Sequence, residues 1–495
     1  MNSFEKTKPE NPLISSNKED FKLERKISKK DFLKDINFYV TKVLEVHPEP
    51  FRIITKDQFV NQIAKIKEEI IASENEEFDI FECYFYMLEI AALIQDGHTR
   101  VVNPLSQFYD YLIRNRSFFP FDIIICQNHF FLRENWNDSG IPLGSEILSI
   151  NGLKLEAMFK ETIKFSSGTF DEYKKVYWCE LFTGILEFYY KISAPWTIEY
   201  RDKLGIKTIT IDVIEWTEEL KNKIYEKRYL YSHYTVRVKN EEVPVLVLPS
   251  LNFSFESPFK TDLDYFFAKY KENNYLIIDM RRNLGGNGIL GHYILNHLIK
   301  GDTTLETHTC FDFKASKLLK EYISFRINSY LYNEKMPVDQ RNIQTYKQLT
   351  NDSSNARFNI SVLEAKENDF VSKELMSLEP IESKAKFKGK VFYLISAETF
   401  SAGVVTAAAF KHNKLGVVLG RETGGRIGFF SDPLVLSLPN SNLAVTLPVA
   451  IMDLVGEKLE RGVIPDNKVE YTQADYLNQL DKDLVKVKKL IRNDL

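Results

Sequence analysis

The stretch VFYLISAETFSAGVVTAAAFKHNKLGVVLG, residues 391–420, decides the fold class of this chain. It opens with a continuous apolar run, which is typical of a strand covered on both faces. An alanine-rich helical segment follows, and then a second short apolar run that ends in glycine. Strand, helix and strand in this order predict a parallel β-α-β unit with a right-handed crossover.

The same alternation of apolar strand-like runs and helical segments is found upstream of this stretch. VPVLVLP (243–249) and YLIIDM (275–280) are continuous apolar runs, and DLDYFFAKYKEN (262–273) between them has a helical pattern. Downstream, two apolar runs within residues 433–449 flank a short polar turn and predict a β-hairpin. The sequence therefore predicts an α/β layer with parallel strands.

The rest of the chain divides by composition. Helical spacing with buried faces is typical of the region before Gly97, whereas short β-branched runs bounded by Asn, Gly or Pro follow it and predict a mainly β domain. We therefore predict a polar tail (1–20), an N-terminal helical region (21–103), a β-rich module (104–236) and an α/β domain (237–495) that carries a helical insertion (310–385).

Composition and charge exclude several protein classes. The chain has 495 residues, 44% of them hydrophobic, which is enough for several packed domains and too apolar for a disordered chain. The 65 basic and 69 acidic residues leave a net charge of −4, so bulk electrostatics predicts no nucleic-acid or membrane-surface partner. Four widely spaced cysteines without a C-x-x-C pair predict neither a disulfide framework nor a cysteine-type zinc site.

The polar N-terminus and the length of the apolar runs bear on localisation. No apolar run reaches the ~18 residues of a membrane span, and the first 30 residues hold no apolar signal core. The chain as given is therefore predicted to be cytoplasmic, or periplasmic or secreted if a leader has been removed.

The segment Thr-Phe-Ser-Ala-Gly (399–403) joins a predicted buried strand to a predicted helix. One interpretation of Ser401 is a helix N-cap that accepts hydrogen bonds from backbone amides. The other is a nucleophile, because a serine at such a turn is exposed and the helix N-terminus offers amides to an oxyanion.

Asn-Leu-Gly-Gly-Asn (283–287) follows the strand YLIIDM. Two glycines at the carboxyl end of a strand let backbone amides approach a ligand closely, although an ordinary turn has the same composition. Gly286, Gly288 and Gly291 also spell a dinucleotide-binding G-x-G-x-x-G. That interpretation fits poorly, because several residues separate the strand from the first glycine and no second strand ends in an acid about 20 residues on.

Two further segments carry groups suited to proton transfer. His98, in Asp-Gly-His-Thr (96–99), lies on a tight turn after a predicted buried helix and is either a structural hydrogen-bonding residue or a base. Glu460, in LERGVIPD (459–466), is either part of a solvated surface pair or the acid that orients an imidazole.

Taken in order, these motifs resemble the tail-specific or C-terminal-processing serine peptidase family. The segments that carry the resemblance are AALIQDGHTRV (91–101), GSEILSING (144–152), YLIIDMRRNLGGN (275–287), FSAGVVTAAA (400–409), VVLGRETGG (417–425) and LERGVIPD (459–466). The resemblance implies a Clp-protease/crotonase-like α/β catalytic domain, an N-terminal helical part and a PDZ-like mainly β module. It also implies that Ser401 is the nucleophile and that the amides of Ala402 and of Gly285 or Gly286 form the oxyanion hole.

The family has two catalytic branches, and residue 426 separates them. The Ser-Lys branch places a lysine 25 residues after the serine, but 401 + 25 = 426 and this residue is Arg426, which stays protonated and cannot be the base. The tricorn-like Ser-His-Glu branch has its glutamate about 60 residues after the serine, and 460 − 401 = 59. The resemblance therefore implies a Ser401–His98–Glu460 triad. Arg426 is then either a contact for a substrate carboxylate or a partner of Glu422.

These motifs predict a serine-type endopeptidase that cleaves peptides or unstructured protein segments through an acyl-enzyme on Ser401. Such chemistry needs no metal or organic cofactor, and the expected partner is a peptide or unfolded-protein substrate, with the oligomeric state left open. One alternative is a non-catalytic ligand-binding protein on the same fold. Another is an esterase or amidase that uses the same residues.

Overall fold

The computed structural model describes residues 11–13, 25–104, 119–253, 258–299, 305–306, 309–375, 385–455 and 460–494. The chain divides into two compact units that do not follow sequence order. The first unit comprises Met1–Pro104, Cys310–Leu375 and Phe429–Asp453, and the second comprises Leu105–Thr309, Met376–Gly428 and Leu454–Leu495. Most of the predicted polar tail lies outside the described residues.

The helices and strands of the described residues are numbered in chain order. The α-helices are α1 (Lys29–Val46), α2 (Lys56–Ala72), α3 (Ile80–Ala92), α4 (Leu155–Thr162), α5 (Asp171–Gly184), α6 (Glu218–Tyr229), α7 (Pro258–Tyr270), α8 (Gly288–Asn296), α9 (Lys317–Asn333), α10 (Ile343–Leu349), α11 (Ser354–Glu364), α12 (Ala402–His412), α13 (Gln473–Leu477) and α14 (Lys482–Asp494). The strands are β1 (Lys26–Ser28), β2 (Glu77–Asp79), β3 (Arg100–Val101), β4 (Phe121–Cys126), β5 (His129–Asn135), β6 (Glu146–Ile150), β7 (Leu153–Lys154), β8 (Trp196–Asp202), β9 (Gly205–Ile211), β10 (Ser232–Val238), β11 (Glu241–Val247), β12 (Tyr275–Asp279), β13 (Thr309–Lys314), β14 (Phe370–Leu375), β15 (Lys390–Ile395), β16 (Val417–Gly420), β17 (Phe429–Ser437), β18 (Ala444–Asp453) and β19 (Asn467–Lys468).

In its described residues the first unit combines helices with a two-stranded antiparallel sheet, β1-β2, and a larger sheet. The strands of the larger sheet follow the order β14-β13-β18-β17, and β3 pairs with β18. The predicted hairpin is confirmed, because β17 and β18 pair antiparallel. Residues 310–385 were predicted as a helical insertion; in the structure this region carries α9, α10 and α11 together with most of β13 and the whole of β14.

Helix α1 shows how sequence periodicity builds this unit. Its apolar residues Ile36, Tyr39 and Val43 recur on one face and are fully buried. The Ser28 side chain accepts a hydrogen bond from the amide of Asp31 at the N-terminus, and the helix ends two residues before Pro48. The predicted helix in this region is confirmed.

The second unit holds the predicted parallel layer. Its strands follow the order β10-β11-β12-β15-β16-β19, and β11, β12, β15 and β16 pair parallel as predicted. Val245, Ile277, Phe392 and Leu419, one from each of these strands, are fully buried in one core cluster. The prediction of a mixed α/β fold is therefore confirmed.

A second sheet in this unit comes from residues of the predicted β-rich module. It follows the order β4-β5-β6-β8-β9, with β7 paired to β6, and all its pairs are antiparallel. Helix α5 and a π-helical turn, Ile185–Tyr189, interrupt the strands of this sheet in sequence. Among the described strands, β4 lies at one edge of this sheet. No helix in the described part of the chain is both long enough and apolar enough to cross a membrane.

Gly291 of the G-x-G-x-x-G pattern has a packing role. A Cβ atom placed on Gly291 would lie 2.0 Å from Oγ1 of Thr406, so helices α8 and α12 approach each other closely at this glycine. Gly288, one turn earlier on α8, has open space at the same position. The glycine spacing is thus explained in part by helix–helix packing.

The substitution Gly291→Ala is expected to destabilise the protein by about 1–2 kcal/mol, because overpacking outweighs the gain in helix propensity. The matched control is Gly288→Ala, which is expected to be neutral or stabilising by up to ~1 kcal/mol. Urea unfolding of both variants measures the difference. Equal free energies of unfolding would contradict the predicted contact.

Candidate active site

The loop before Ser401 is fixed by side chains that bond to the segment after β12. Ser396 Oγ donates to the carbonyl of Arg281 at 2.5 Å, and Thr399 Oγ1 donates to the carbonyl of Met280 at 2.8 Å. Thr399, which replaces the first glycine of a G-x-S-x-G elbow, is fully buried by this contact. The loop is therefore held rigidly at the carboxyl ends of two neighbouring parallel strands.

Ser401 has an unusual backbone conformation. Its φ is 52° and its ψ is −122°, a region that L-residues rarely adopt and that carries strain. The residue is partly exposed and directly precedes α12. Its side chain makes no capping hydrogen bond to the helix. The interpretation that the Ser401 hydroxyl group caps the helix by accepting hydrogen bonds from its amides is therefore wrong.

Gly285 lies against the Ser401 turn. A Cβ atom on Gly285 would lie 2.7 Å from Cβ of Ser401 and 3.0 Å from the nitrogen of Ala402. Gly285 has a φ of 100°, so both the space and the conformation at this position require glycine. The structure thus brings together Ser401, Ala402 and the glycine pair.

The two glycines differ in how their amides are used. The amide of Gly285 donates to Oδ1 of Asn283 at 2.9 Å. The bridge between Gly286 and Leu251 uses the carbonyl of Gly285 and the amide of Asn287, and does not use the amide of Gly286. Ala402 is the first residue of α12, so its amide has no acceptor within the helix.

A buried ion network joins the Ser401 loop to the β-rich module. Arg133 on β5 binds both carboxylate oxygens of Glu398, at 2.7 and 2.8 Å, and its other nitrogens contact Asp122 on β4 at 3.1 to 3.2 Å. Tyr173 on α5 stacks on Phe400 with a ring centroid distance of 4.3 Å. The residues on either side of Thr399 are therefore anchored to the module.

Glu460 and Arg426 form an ion pair. The Arg426 side chain is 4% exposed, whereas that of Glu460 is 73% exposed. Arg426 pairs with Gly462 in an isolated antiparallel bridge, which makes Glu460 a diagonal neighbour of Arg426. The expected partner Glu422 instead binds Arg461 and the amide of Gly462. Of the two alternatives considered for Arg426, pairing with Glu422 is therefore replaced by pairing with Glu460.

His98 lies in the first unit, in the turn between α3 and β3. Its imidazole stacks on the ring of Phe429 at a centroid distance of 5.5 Å and forms a hydrogen bond with the backbone of Phe430. The carbonyl of His98 accepts a hydrogen bond from Oγ1 of Thr446 at 2.7 Å. Contacts on both the ring and the main chain therefore fix this residue within its unit.

Burial lowers the pKa of His98 to about 4. The carboxylate of Asp96 acts in the opposite direction and raises the pKa, while Arg100 lowers it. His98 is therefore neutral at pH 7 and has the protonation state that a general base requires.

Three residues, two in the second unit and one in the first, were absent from the sequence prediction. Arg133 and Glu398 lie far apart in sequence, and no local pattern marks them as partners. His47 is buried beside Asp96, and the only signal for it was its position at the end of a helix, next to Pro48.

Comparison with known proteins gives one family match and several structures of related fold. Residues 245–469, which include Ser401, Ala402 and the glycine pair, match the model of peptidase family S41. The solved structure of mature CPAF has 15% sequence identity and a TM-score of 0.65, covering 94% of this chain and 97% of that chain. Mature CPAF complexed with lactacystin has 13% identity and a TM-score of 0.65, with 94% and 98% coverage. A comparison with curated proteins gives no match.

Over 94% of its length this chain shares the fold of mature CPAF, and residues 245–469 match the model of peptidase family S41. At these identities the likeness to solved structures concerns the fold alone. The match of residues 245–469 to the family model supports a peptidase role.

Replacing Ser401 by glycine is expected to stabilise the protein, because glycine tolerates its backbone conformation without strain. The expected gain over Ser401→Ala is about 1 kcal/mol, after subtracting the greater entropy of glycine in the unfolded chain. Both variants lack the hydroxyl group, so the difference in thermal unfolding between them reports the backbone strain. Equal unfolding temperatures would show that the turn is relaxed.

Proposed function

We propose that this protein is a serine endopeptidase that cleaves peptides or unstructured protein segments through an acyl-enzyme on Ser401. The observation that carries the proposal is the backbone of Ser401, held at a φ of 52° at the start of α12 and packed against Gly285. A strained turn of this kind presents the hydroxyl group, and the helix N-terminus favours the negative charge that develops on an attacked carbonyl.

In this proposal the amides of Ala402 and Gly286 bind the oxyanion. Gly286 is favoured over Gly285 because the amide of Gly285 already donates to Asn283. Gly285 then contributes by its absent side chain, which leaves room for the Ser401 turn. Loss of one such donor typically lowers kcat by about 10²–10³-fold.

His98 is proposed as the general base. It accepts the proton of Ser401 as the hydroxyl attacks the scissile carbonyl, and it later donates this proton to the leaving amine. Its neutral state at pH 7 supports this role. Glu460 is proposed to stabilise the imidazolium ion, and the buried guanidinium of Arg426 to hold Glu460 in place.

The β-rich module is proposed to bind the substrate chain in a PDZ-like manner. Strand β4 lies at a sheet edge, where unpaired backbone groups can accept an added peptide strand. A cavity of about 250 Å³ is lined by Ile123 to Ile125 of this strand, by one face of α5 and by Glu398 of the Ser401 loop. This arrangement supports recognition of extended segments with loose sequence preference.

A fluorophosphonate that reacts with activated serines tests the nucleophile and the base together. Intact-mass analysis is expected to show one adduct, which maps to Ser401 and is lost in Ser401→Ala. Labelling of His98→Ala is expected to be slower by about 10²-fold or more. Because the pKa of His98 is lowered to about 4, the labelling rate of the unmodified chain should stay constant down to about pH 5 and fall below it.

The outcomes separate the rival functions. An adduct on Ser401 that forms equally fast in His98→Ala would retain the nucleophile and exclude the proposed base. No adduct at all would favour the non-catalytic ligand-binding protein. Rapid turnover of small esters without cleavage of an unfolded protein would favour an esterase.

The variant Arg426→Met distinguishes a role of this arginine in positioning Glu460 from a role in binding a substrate carboxylate. If Arg426 positions Glu460, kcat should fall about 10- to 100-fold for peptides with free and amidated C-termini alike, with KM unchanged. The matched control is Arg461→Met, which removes an exposed ion pair with Glu422 and should have little effect. A loss confined to peptides with a free C-terminus would instead indicate a substrate carboxylate contact.

A further inference from the structure

A buried histidine–carboxylate pair lies next to His98 in the first unit. His47, at the end of α1, is fully buried, and Asp96, two residues before His98, is 4% exposed. Nε2 of His47 lies 3.7 Å from Oδ2 of Asp96. Burying a charged carboxylate costs free energy unless hydrogen bonds or an opposite charge stabilise it. The groups that stabilise Asp96 therefore need to be identified.

The main chain fixes the tautomer of His47. The amide of Glu49 donates to Nδ1 of His47 at 3.1 Å, so the proton of the neutral ring lies on Nε2 and faces Asp96. The ring edge packs against Phe430 at a centroid distance of 4.4 Å. Both contacts hold the imidazole in one orientation.

Asp96 in turn holds the backbone of the His98 turn. Its Oδ1 accepts a hydrogen bond from the amide of His98 at 3.2 Å, and its Oδ2 accepts one from Oγ1 of Thr99 at 2.8 Å. Although burial would raise the pKa of Asp96, the nearby imidazoles of His47 and His98 and the hydrogen bond from Thr99 hold the pKa below its usual value. Asp96 is therefore ionised at neutral pH and places a negative charge beside His98.

The other charged groups around this pair come from three elements. Lys314 on β13 donates to the carbonyl of His47 at 3.1 Å, and Nε of Arg100 on β3 donates to the carbonyl of Gly97 at 2.5 Å. Arg52, which follows α1, lies over the ring of Phe430 at 5.7 Å. Glu45 on α1 and Glu49 after it are the nearby acids, and Asp96 is the acid bonded to the His98 turn itself.

From this geometry we infer that Asp96 is a positioning residue for His98, and that His47 acts on His98 through Asp96. The inference rests on the proposed function, because it assigns a role to the groups behind the proposed base. Asp96 orients the main chain of His98 and stabilises the imidazolium ion formed when the proton of Ser401 is taken up. His47 keeps the Asp96 side chain in place.

The first experiment is Asp96→Asn, which preserves the size of the side chain and an acceptor oxygen but removes the charge. Fluorophosphonate labelling at pH 7 is expected to slow about 10²-fold. The charge of Asp96 raises the pKa of His98, so its loss lowers that pKa further. The acid limb, which is the fall of the labelling rate at low pH as His98 becomes protonated, should therefore shift to lower pH by about 1 unit. A purely structural defect would reduce the rate without moving the limb.

Asp35→Asn is the matched control. Asp35 is another fully buried aspartate of the first unit, and it accepts hydrogen bonds from the amides of Asn440 and Ser441. Its variant should lose stability without moving the acid limb. Glu460→Gln is compared in the same assay. If Glu460→Gln moves the limb and Asp96→Asn does not, the inference is overturned.

A double-mutant cycle tests the role of His47. His47→Phe keeps a ring against Phe430 and removes the Nε2 proton, so labelling should slow about 10-fold in the wild-type background and not at all in the Asp96→Asn background. His47→Gln, which can supply an N–H near the Nε2 position, should retain most of the rate. Equal effects of His47→Phe in both backgrounds would overturn the pathway through Asp96.

An NMR measurement keeps the test independent of activity. The ring resonance of His98 is assigned by its loss in His98→Ala. In the Ser401→Ala chain this resonance should begin to titrate as the pH approaches about 4. When Asp96→Asn is added to that chain, the resonance should stay at its neutral position over the same pH range. Identical titration in both chains overturns the inference. A shift in Asp96→Asn without any labelling of Ser401 in the wild type would instead overturn the proposed function.

Discussion

The close approach of two backbone segments at Gly285 is the constraint on which the candidate site depends. A Cβ atom at this position would meet Cβ of Ser401 at 2.7 Å and the carbonyl of Phe400 at 2.9 Å. The segment after β12 and the segment after β15 can therefore meet only because one of them carries glycine at the contact. The parallel pairing of β12 and β15 brings their carboxyl ends together, and the hydrogen bonds of Ser396 and Thr399 then fix the distance.

The sequence predicted the elements of this contact and not its surroundings. Continuous apolar runs marked β11, β12, β15 and β16, because strands covered on both faces need apolar residues at every position. Strand β10 was not predicted, because most of its side chains are exposed and it has no continuous apolar run. Strand β13 was missed because it lies in a polar, helix-rich region and pairs with β18, far along the chain. Pairing over such sequence distances leaves no local periodicity.

In the candidate site, too, local motifs could be predicted from the sequence, whereas contacts between distant segments could not. Ser401 and the glycine pair were candidates because their motifs follow predicted strands, and the family resemblance implied their roles and that of Ala402. For Arg426 the sequence left two alternatives, a substrate carboxylate or Glu422, and neither was Glu460, which the bridge to Gly462 places beside it. His47 and Asp96 belong to different elements, so only the folded chain shows them to be neighbours.

Burial and charge act against each other at His98, and their balance determines what the residue can do. Burial alone makes the imidazole a weak base, because the imidazolium ion loses its hydration. A fixed carboxylate nearby recovers part of that loss only if its own negative charge survives burial. The donors to Asp96 meet this condition, since His98 and Thr99 bond to its oxygens and His47 faces it. The protonation of His98 is thus governed by groups that need never touch a substrate.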